Sequence, residues 1–321
     1  MEIAISVEAL TGPVWQAIKD LANSQFGSSL LAAMAGAWGG AQAAQRIAEK
    51  GKLQDTLVQE IQNTNAAVEL VAMVTGSYFN LKGQIVVPLV TEYEAVRTEA
   101  HRQYAIRQAS PPGQTWPPIR LGMNMQTIGP MHVSFDRLED IVLSKLSVVG
   151  RIRPLMVMMV QSAHSLDTTI GERNAMVLRA RAEGTLSGEN PAKMFGLPIA
   201  SGIDLSFGQN VAALKSQTDD CIQFGLMLAD DLKRHGAELR ASYEKQFRGK
   251  VPAIVSLSWD EPAKRGLLPS AVEYDDWRSG FMRRVPATEG RRFGKVVFAF
   301  RRLARMLTFS KLASVLRPSN R

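Results

Sequence analysis

A single cysteine, Cys221, stands among 321 residues, so no disulfide can close within the chain and a reducing compartment is its natural setting. Lying mid-helix with no activating neighbour in sequence, Cys221 reads as a small buried apolar residue. The four histidines, His101, His132, His164 and His235, share no metal-ligand spacing, and no CxxC occurs. There is no GxxxxGK[ST] loop, and no GxGxxG following a strand. No metal, no cofactor and no catalytic residue are therefore expected. Aromatic residues make up only 7% of the chain while Leu, Ala, Met and Val abound, a balance that favours helices over sheets. Met1 to Ala9 carries Glu2 and Glu8 and no basic residue, so no cleavable signal peptide is expected.

Two further absences are local. From Leu21 to Gln45 no residue is charged, and from Gly290 to Arg321 none is acidic. The second stretch holds nine of the chain's 38 basic residues and none of its 30 acidic ones, so the remainder is close to neutral. A nearly neutral body thus ends in a tail suited to an anionic partner.

The apolar heart of the first stretch, Phe26 to Ala44, would make a helix of roughly 28 Å, near the thickness of a bilayer's hydrocarbon layer. Acidic residues precede it and Arg46, Lys50 and Lys52 follow it, which predicts a span with the N-terminus outside and the body in the cytoplasm. Ala32, Gly36, Gly40 and Ala44 recur every four residues on one face, a stripe that lets helices approach closely and self-associate. Ala and Gly contribute little transfer energy, and Gln42 and Trp38 sit mid-span, so a helix buried in the protein's own bundle is the competing reading.

Beyond the span, apolar spacing predicts helices over 52–81, 88–108, 135–149, 155–182 and 207–247. Ser134 is the expected cap of the third, and Pro/Gly-rich connectors cover 110–130 and 184–202. Phe207, Val211, Leu214, Thr218, Cys221, Gly225, Leu228, Leu232, His235 and Leu239 alternate steps of four and three, a heptad-like seam weakened at Thr218, Gly225 and His235. The fold class expected is all-α. An N-terminal transmembrane helix leads into an up-and-down bundle with long antiparallel helices, and a basic amphipathic helix ends the chain. The expected division is 1–45 for the N-terminal segment and span, 46–248 for the cytoplasmic bundle, 249–289 for a Pro- and Trp-containing linker and 290–321 for the tail.

In the tail, Phe293, Val296, Phe300, Leu303 and Leu307 share a helix face opposite Lys295, Arg302 and Arg305. Arg291, Arg292, Lys295, Arg301, Arg302, Arg305 and Lys311 are the residues expected to meet an anionic lipid surface. Packing of the apolar stripe on the bundle, or phosphate contacts with nucleic acid, are the alternatives.

Other constellations are weak. Met156, Met158 and Met159 read as core filling, and His164 with Asp167 forms an isolated pair without a nucleophile. Arg97 and His101 resemble the Arg-and-His motif of the HEPN helical ribonucleases, though three residues separate them where that family has four to six. The run LLAAMAGAWGGAQAAQRIAEKGKL, followed by EIQNTNAAVEL, resembles uncharacterised bacterial proteins with one N-terminal span and a helical cytoplasmic body. The resemblance covers about the first eighty residues and implies an inner-membrane location. The expected partners are the lipid bilayer, further copies of the chain and a protein bound to the bundle. The expected function is a non-enzymatic membrane-anchored sensor, scaffold or membrane-perturbing defence effector, with a nucleic-acid-associated helical protein as alternative.

Overall fold

The computed structural model describes residues 25–111, 114, 122–123, 125–131, 133–148, 150–183, 190–199, 202–247 and 249–280. Helix accounts for 78% of them, and the only strands are two-residue pieces, so the protein is all-α.

Helix α1 runs Gln25–Leu81, passes through a π-helical turn at Lys82–Val86, and continues as α2, Val87–Gln108. The junction residues Leu81, Val86 and Val87 keep right-handed helical dihedrals, so the axis is not broken. Pro88 falls at the start of α2, where a missing N–H is tolerated. The spacing alone predicts three separate helices here. Gly51 stands between the first two and Gly83 and Pro88 between the second and third, yet the helix runs on through Gly51 and, by the π turn, past Gly83 and Pro88.

A connector leads to α3, Asp136–Asp140, which ends in a second π turn at Ile141–Lys145. Phe135, not Ser134, occupies the cap position, and no side chain caps the helix. Helix α4 spans Ile152–Ala182 after a left-handed Gly150. Next come α5, Asn190–Phe195, and a small antiparallel ribbon of β1, Pro198–Ile199, and β2, Gly202–Ile203. Helix α6 covers Ser206–Gln246, with the Asp204 carboxylate accepting the Ser206 N–H at its start. Helix α7 is Asp260–Lys264. The chain divides into two compact units, 1–269 and 270–321. In the second, the described residues form a 3₁₀ turn at Ala271–Tyr274 and a short α8, Asp275–Gly280.

Within the first unit, α6 is the central element. Partners on α1 rise as those on α6 fall: Gln54 donates to Tyr243, His235 meets Glu60, and Lys82 pairs with Asp219. The same antiparallel order joins α4 to α6, from Arg151 with Asp231 to the Thr169 carbonyl with Asn210. The seam is buried from Phe207 to Leu232, and its weak positions each have a reason. Thr218 returns its hydroxyl proton to the Leu214 carbonyl at 2.7 Å. Gly225 admits Thr75, whose Oγ1 would lie 2.2 Å from any Cβ there. His235 reaches the Glu60 carboxylate.

No helix among the described residues is long and apolar enough to cross a membrane, which corrects the expected span at Phe26 to Ala44. Freedom from charge is not hydropathy. Alanine and glycine carry little transfer free energy, and the helix runs without interruption into Arg46, Glu49, Lys50 and Lys52. Burial in the bundle does not follow either. Met34 is 63%, Trp38 69% and Ile47 73% exposed.

Candidate functional site: an exposed helical arm

The first half of α1 leaves the bundle. Every side chain described between Ala33 and Lys50 is exposed, and packing begins near Lys50, which lies over the Phe247 ring at 5.8 Å. One turn later Gln54 donates to the Tyr243 hydroxyl at 2.9 Å. At about 1.5 Å per residue the arm from Gln25 to Lys50 is about 39 Å long.

The expected association residues lie on this arm. Gly36 and Gly40 are exposed with nothing near the place a Cβ would occupy, and Ala44 is exposed too. Ala32 stands on the same helix row four residues earlier, and helical periodicity continues the row to Ile47. The opposite face carries Met34 and Trp38. The arm therefore has a shallow side made of small residues and a side bearing two large apolar ones. The tail positions Arg291, Arg292, Lys295, Arg301, Arg302, Arg305 and Lys311 lie outside the described residues.

The other sequence candidates take structural places. Met156 and Met159 are buried in the core, as core filling requires. His101 is tied to α5, its ring nitrogen 2.9 Å from the Phe195 carbonyl, an acceptor to which it donates, while Arg97 is exposed. His164 and Asp167 sit on the exposed face of α4 and line a groove of about 650 Å³ with Asp136 and Glu139. Cys221 is fully buried against Tyr78, and burial, with Asp220 adding to it, pushes its thiol far above the usual range. Among the described residues no His, Cys, Asp and Glu cluster is shaped for a metal ion.

Two polar junctions escape sequence reasoning because their members are remote along the chain. Glu60 Oε1 accepts from the Ser147 amide at 2.7 Å, from the Ser147 hydroxyl, and from His235 Nε2 at 3.2 Å. Serine and histidine here meet the carboxylate and not each other, so the hydroxyl proton has no imidazole to take it. The arrangement fastens the segment between the second π turn and α4 to the α1–α6 seam. Nearby, Asp231 is 1% exposed at its side chain and is held by Arg151 at 2.5 Å and Arg234 at 2.6 Å. Hydrogen bonding to Asp231 raises the Arg151 pKa above its ordinary value despite partial burial.

No family model matches this sequence, and no curated protein or solved structure matches it.

Proposed function

We propose that this protein is a non-enzymatic self-associating scaffold, assembled through the α1 arm and drawn to an anionic surface by its basic tail. The observation that carries the proposal is the arm itself: apolar, uncharged from Leu21 to Gln45, and exposed on every described side from Ala33 to Lys50. Contiguous apolar surface of this kind marks an interaction site in a soluble protein. The arm is also a poor helix in isolation. Gly36, Gly39 and Gly40 together cost about 3 kcal/mol relative to alanine, and no tertiary contact offsets them.

A second copy of the arm supplies what is missing. The Gly36–Gly40 row lets a helix axis approach closely, and the large side chains of Met34 and Trp38 have the size to fill the row of a neighbour. Because the two faces differ, one copy fits another through unlike surfaces, so association need not stop at a dimer. The tail adds a second interaction. Several basic residues near an anionic leaflet contribute about 1 kcal/mol each, and an apolar stripe beside them favours a lipid interface over a nucleic acid backbone. The body would then sit at the inner face of a bacterial cytoplasmic membrane as a peripheral assembly, free to hold a protein partner on its bundle.

The test is light scattering on the full chain. Wild type is expected at a multiple of 35.2 kDa, and Gly36→Leu with Gly40→Leu at the monomer mass, with unchanged helicity. A wild type that stays monomeric at micromolar concentration overturns the proposal. Flotation with phosphatidylglycerol vesicles, with and without residues 290–321, tests the tail. Salt-sensitive binding to DNA or RNA in place of vesicles would assign the tail to nucleic acid.

A further inference from the structure

Away from the arm, a cavity of about 180 Å³ opens where the first π turn, the connector and α4 meet. Its lining divides by exposure. Arg173, Leu89 and Ile128 are buried, while Ile85 and Pro88 are exposed and form its margin. The buried part is therefore one cation beside two aliphatic side chains. Glu92 lines the cavity as well, but it already has an interaction of its own and supplies no group for a ligand.

Arg173 decides what the cavity can hold. It is 1% exposed. Nη1 donates to the Gln126 carbonyl at 2.8 Å, a neutral partner, and Nε makes no hydrogen bond. Among the described residues Arg173 enters no ion pair. Burial pushes its pKa below the ordinary value, and the neighbouring Arg181 acts in the same direction. A guanidinium taken out of water without a carboxylate is a net cost to folding, and a bound anion would offset it.

The site is also built in advance. Asn174 staples the connector beside it from both sides, accepting the Ile128 N–H at 2.9 Å and donating to the Ile128 carbonyl at 2.7 Å. Arg181 donates to the Met125 carbonyl and holds the same stretch of chain. The margin includes Ile85 in the π turn, a helix irregularity that recurs at functional sites. The turn is anchored by buried Lys82, which pairs with Asp219 and donates to the Leu267 carbonyl at 2.8 Å.

We propose that this cavity binds a short aliphatic monocarboxylate, its carboxylate seated on the Arg173 guanidinium and its hydrocarbon end against Leu89 and Ile128. A planar carboxylate matches the guanidinium edge that the Gln126 carbonyl leaves open. Among the described lining residues Arg173 is the single cation and Glu92 is acidic, so a dianion such as phosphate is disfavoured. The volume lies below the roughly 300–1,000 Å³ of pockets for drug-sized ligands, which limits the ligand to a few carbons.

The experiment is calorimetric titration of the full chain at neutral pH with propionate, propionamide, octanoate and inorganic phosphate. Propionate is expected to bind and to raise the thermal unfolding midpoint. Propionamide keeps the shape without the charge and should bind at least about tenfold more weakly, the loss expected for a hydrogen bond to a charged group. Octanoate is too long for the cavity and phosphate too highly charged, so both should bind more weakly than propionate. Arg173→Met should abolish propionate binding and with it the shift in midpoint. Ile85→Glu, at the exposed margin, guards against loss of fold in the first variant. Its carboxylate should weaken propionate by repulsion while leaving the unfolding midpoint of the unliganded protein unchanged. Absence of propionate binding at millimolar concentration overturns the proposal. Propionamide, octanoate or phosphate binding as tightly as propionate does too, as does propionate affinity unchanged by Arg173→Met or by Ile85→Glu.

Discussion

Gly225→Ala tests the helix junction at the centre of the first unit. A Cβ added there would lie 2.2 Å from Thr75 Oγ1, 3.3 Å from Thr75 Cβ and 3.1 Å from Met159 Cε, so side chains of α1 and α4 both converge on this point of α6. Two opposing effects act. Alanine is favoured over glycine inside a helix by about 1 kcal/mol. Overpacking a close-packed core costs about 1–3 kcal/mol, and here the nearest atom is a β-branched side chain with little freedom to turn away. The clash should win, leaving Gly225→Ala destabilised by about 1–2 kcal/mol. Thr75→Ala removes the offending hydroxyl, which is buried without a hydrogen-bond partner. The flexible end of Met159 can then absorb the remaining contact. In that background Gly225→Ala should be neutral or stabilising by up to about 1 kcal/mol. The coupling between the two sites is therefore expected at about 2 kcal/mol, within the range for residues in direct contact. Urea unfolding of the four proteins of the cycle, followed by far-UV circular dichroism, measures it. Additive effects, or a Gly225→Ala variant more stable than wild type, would refute the close approach of α1 to α6.

The buried charges give a graded set of outcomes. Arg151→Ala leaves the buried Asp231 carboxylate with only the exposed Arg234, and should cost about 3 kcal/mol in urea unfolding. Arg234→Ala, whose side chain is 63% exposed, should cost under about 1 kcal/mol by the same measurement. Lys82→Met leaves Asp219 unpaired beside the π turn and should be clearly destabilised, while Lys82→Met with Asp219→Leu should recover most of the loss. Cys221 should resist a maleimide at mildly alkaline pH in the native protein and react fully in urea, because burial both shields the thiol and disfavours its thiolate. Native labelling at the unfolded rate would contradict its placement against Tyr78.

Local periodicity was enough to place α4 and α6. The run from Met156 to Val177 and the seam from Phe207 to Leu232 are buried at the positions their spacing marks, because a helix that packs along one stripe writes that stripe into its own residues. What local spacing cannot carry is the identity of a partner on another helix. Ser147 is 87 residues from Glu60, and His235 is 175, yet the three share one carboxylate oxygen. His235 looks like a defect in the heptad until Glu60 is beside it. Arg173 looks like an ordinary helix arginine until the connector closes over it. The π turn at Lys82–Val86 has no sequence marker, and without it α1 and α2 read as two helices.

The arm shows the opposite failure, in which a pattern was legible but its physical meaning was not. An uncharged run of alanine and glycine satisfies two environments poorly, since it lacks the hydropathy for hydrocarbon and the bulk for a protein core. It satisfies a third well, because small side chains set close helix contact, and close contact compensates for weak transfer energy. Trp38, on the face opposite the glycine row, is 69% exposed. A tryptophan left in water on an exposed helix is costly unless it enters another apolar surface, and under the proposed self-association that surface would be the Gly36–Gly40 row of a second arm. Trp38→Ala should therefore weaken association more than it changes monomer stability. Light scattering over a dilution series, set beside urea unfolding of the variant, separates the two effects. A wild type that stays at the monomer mass over a hundredfold range of concentration would leave the arm without an occupant.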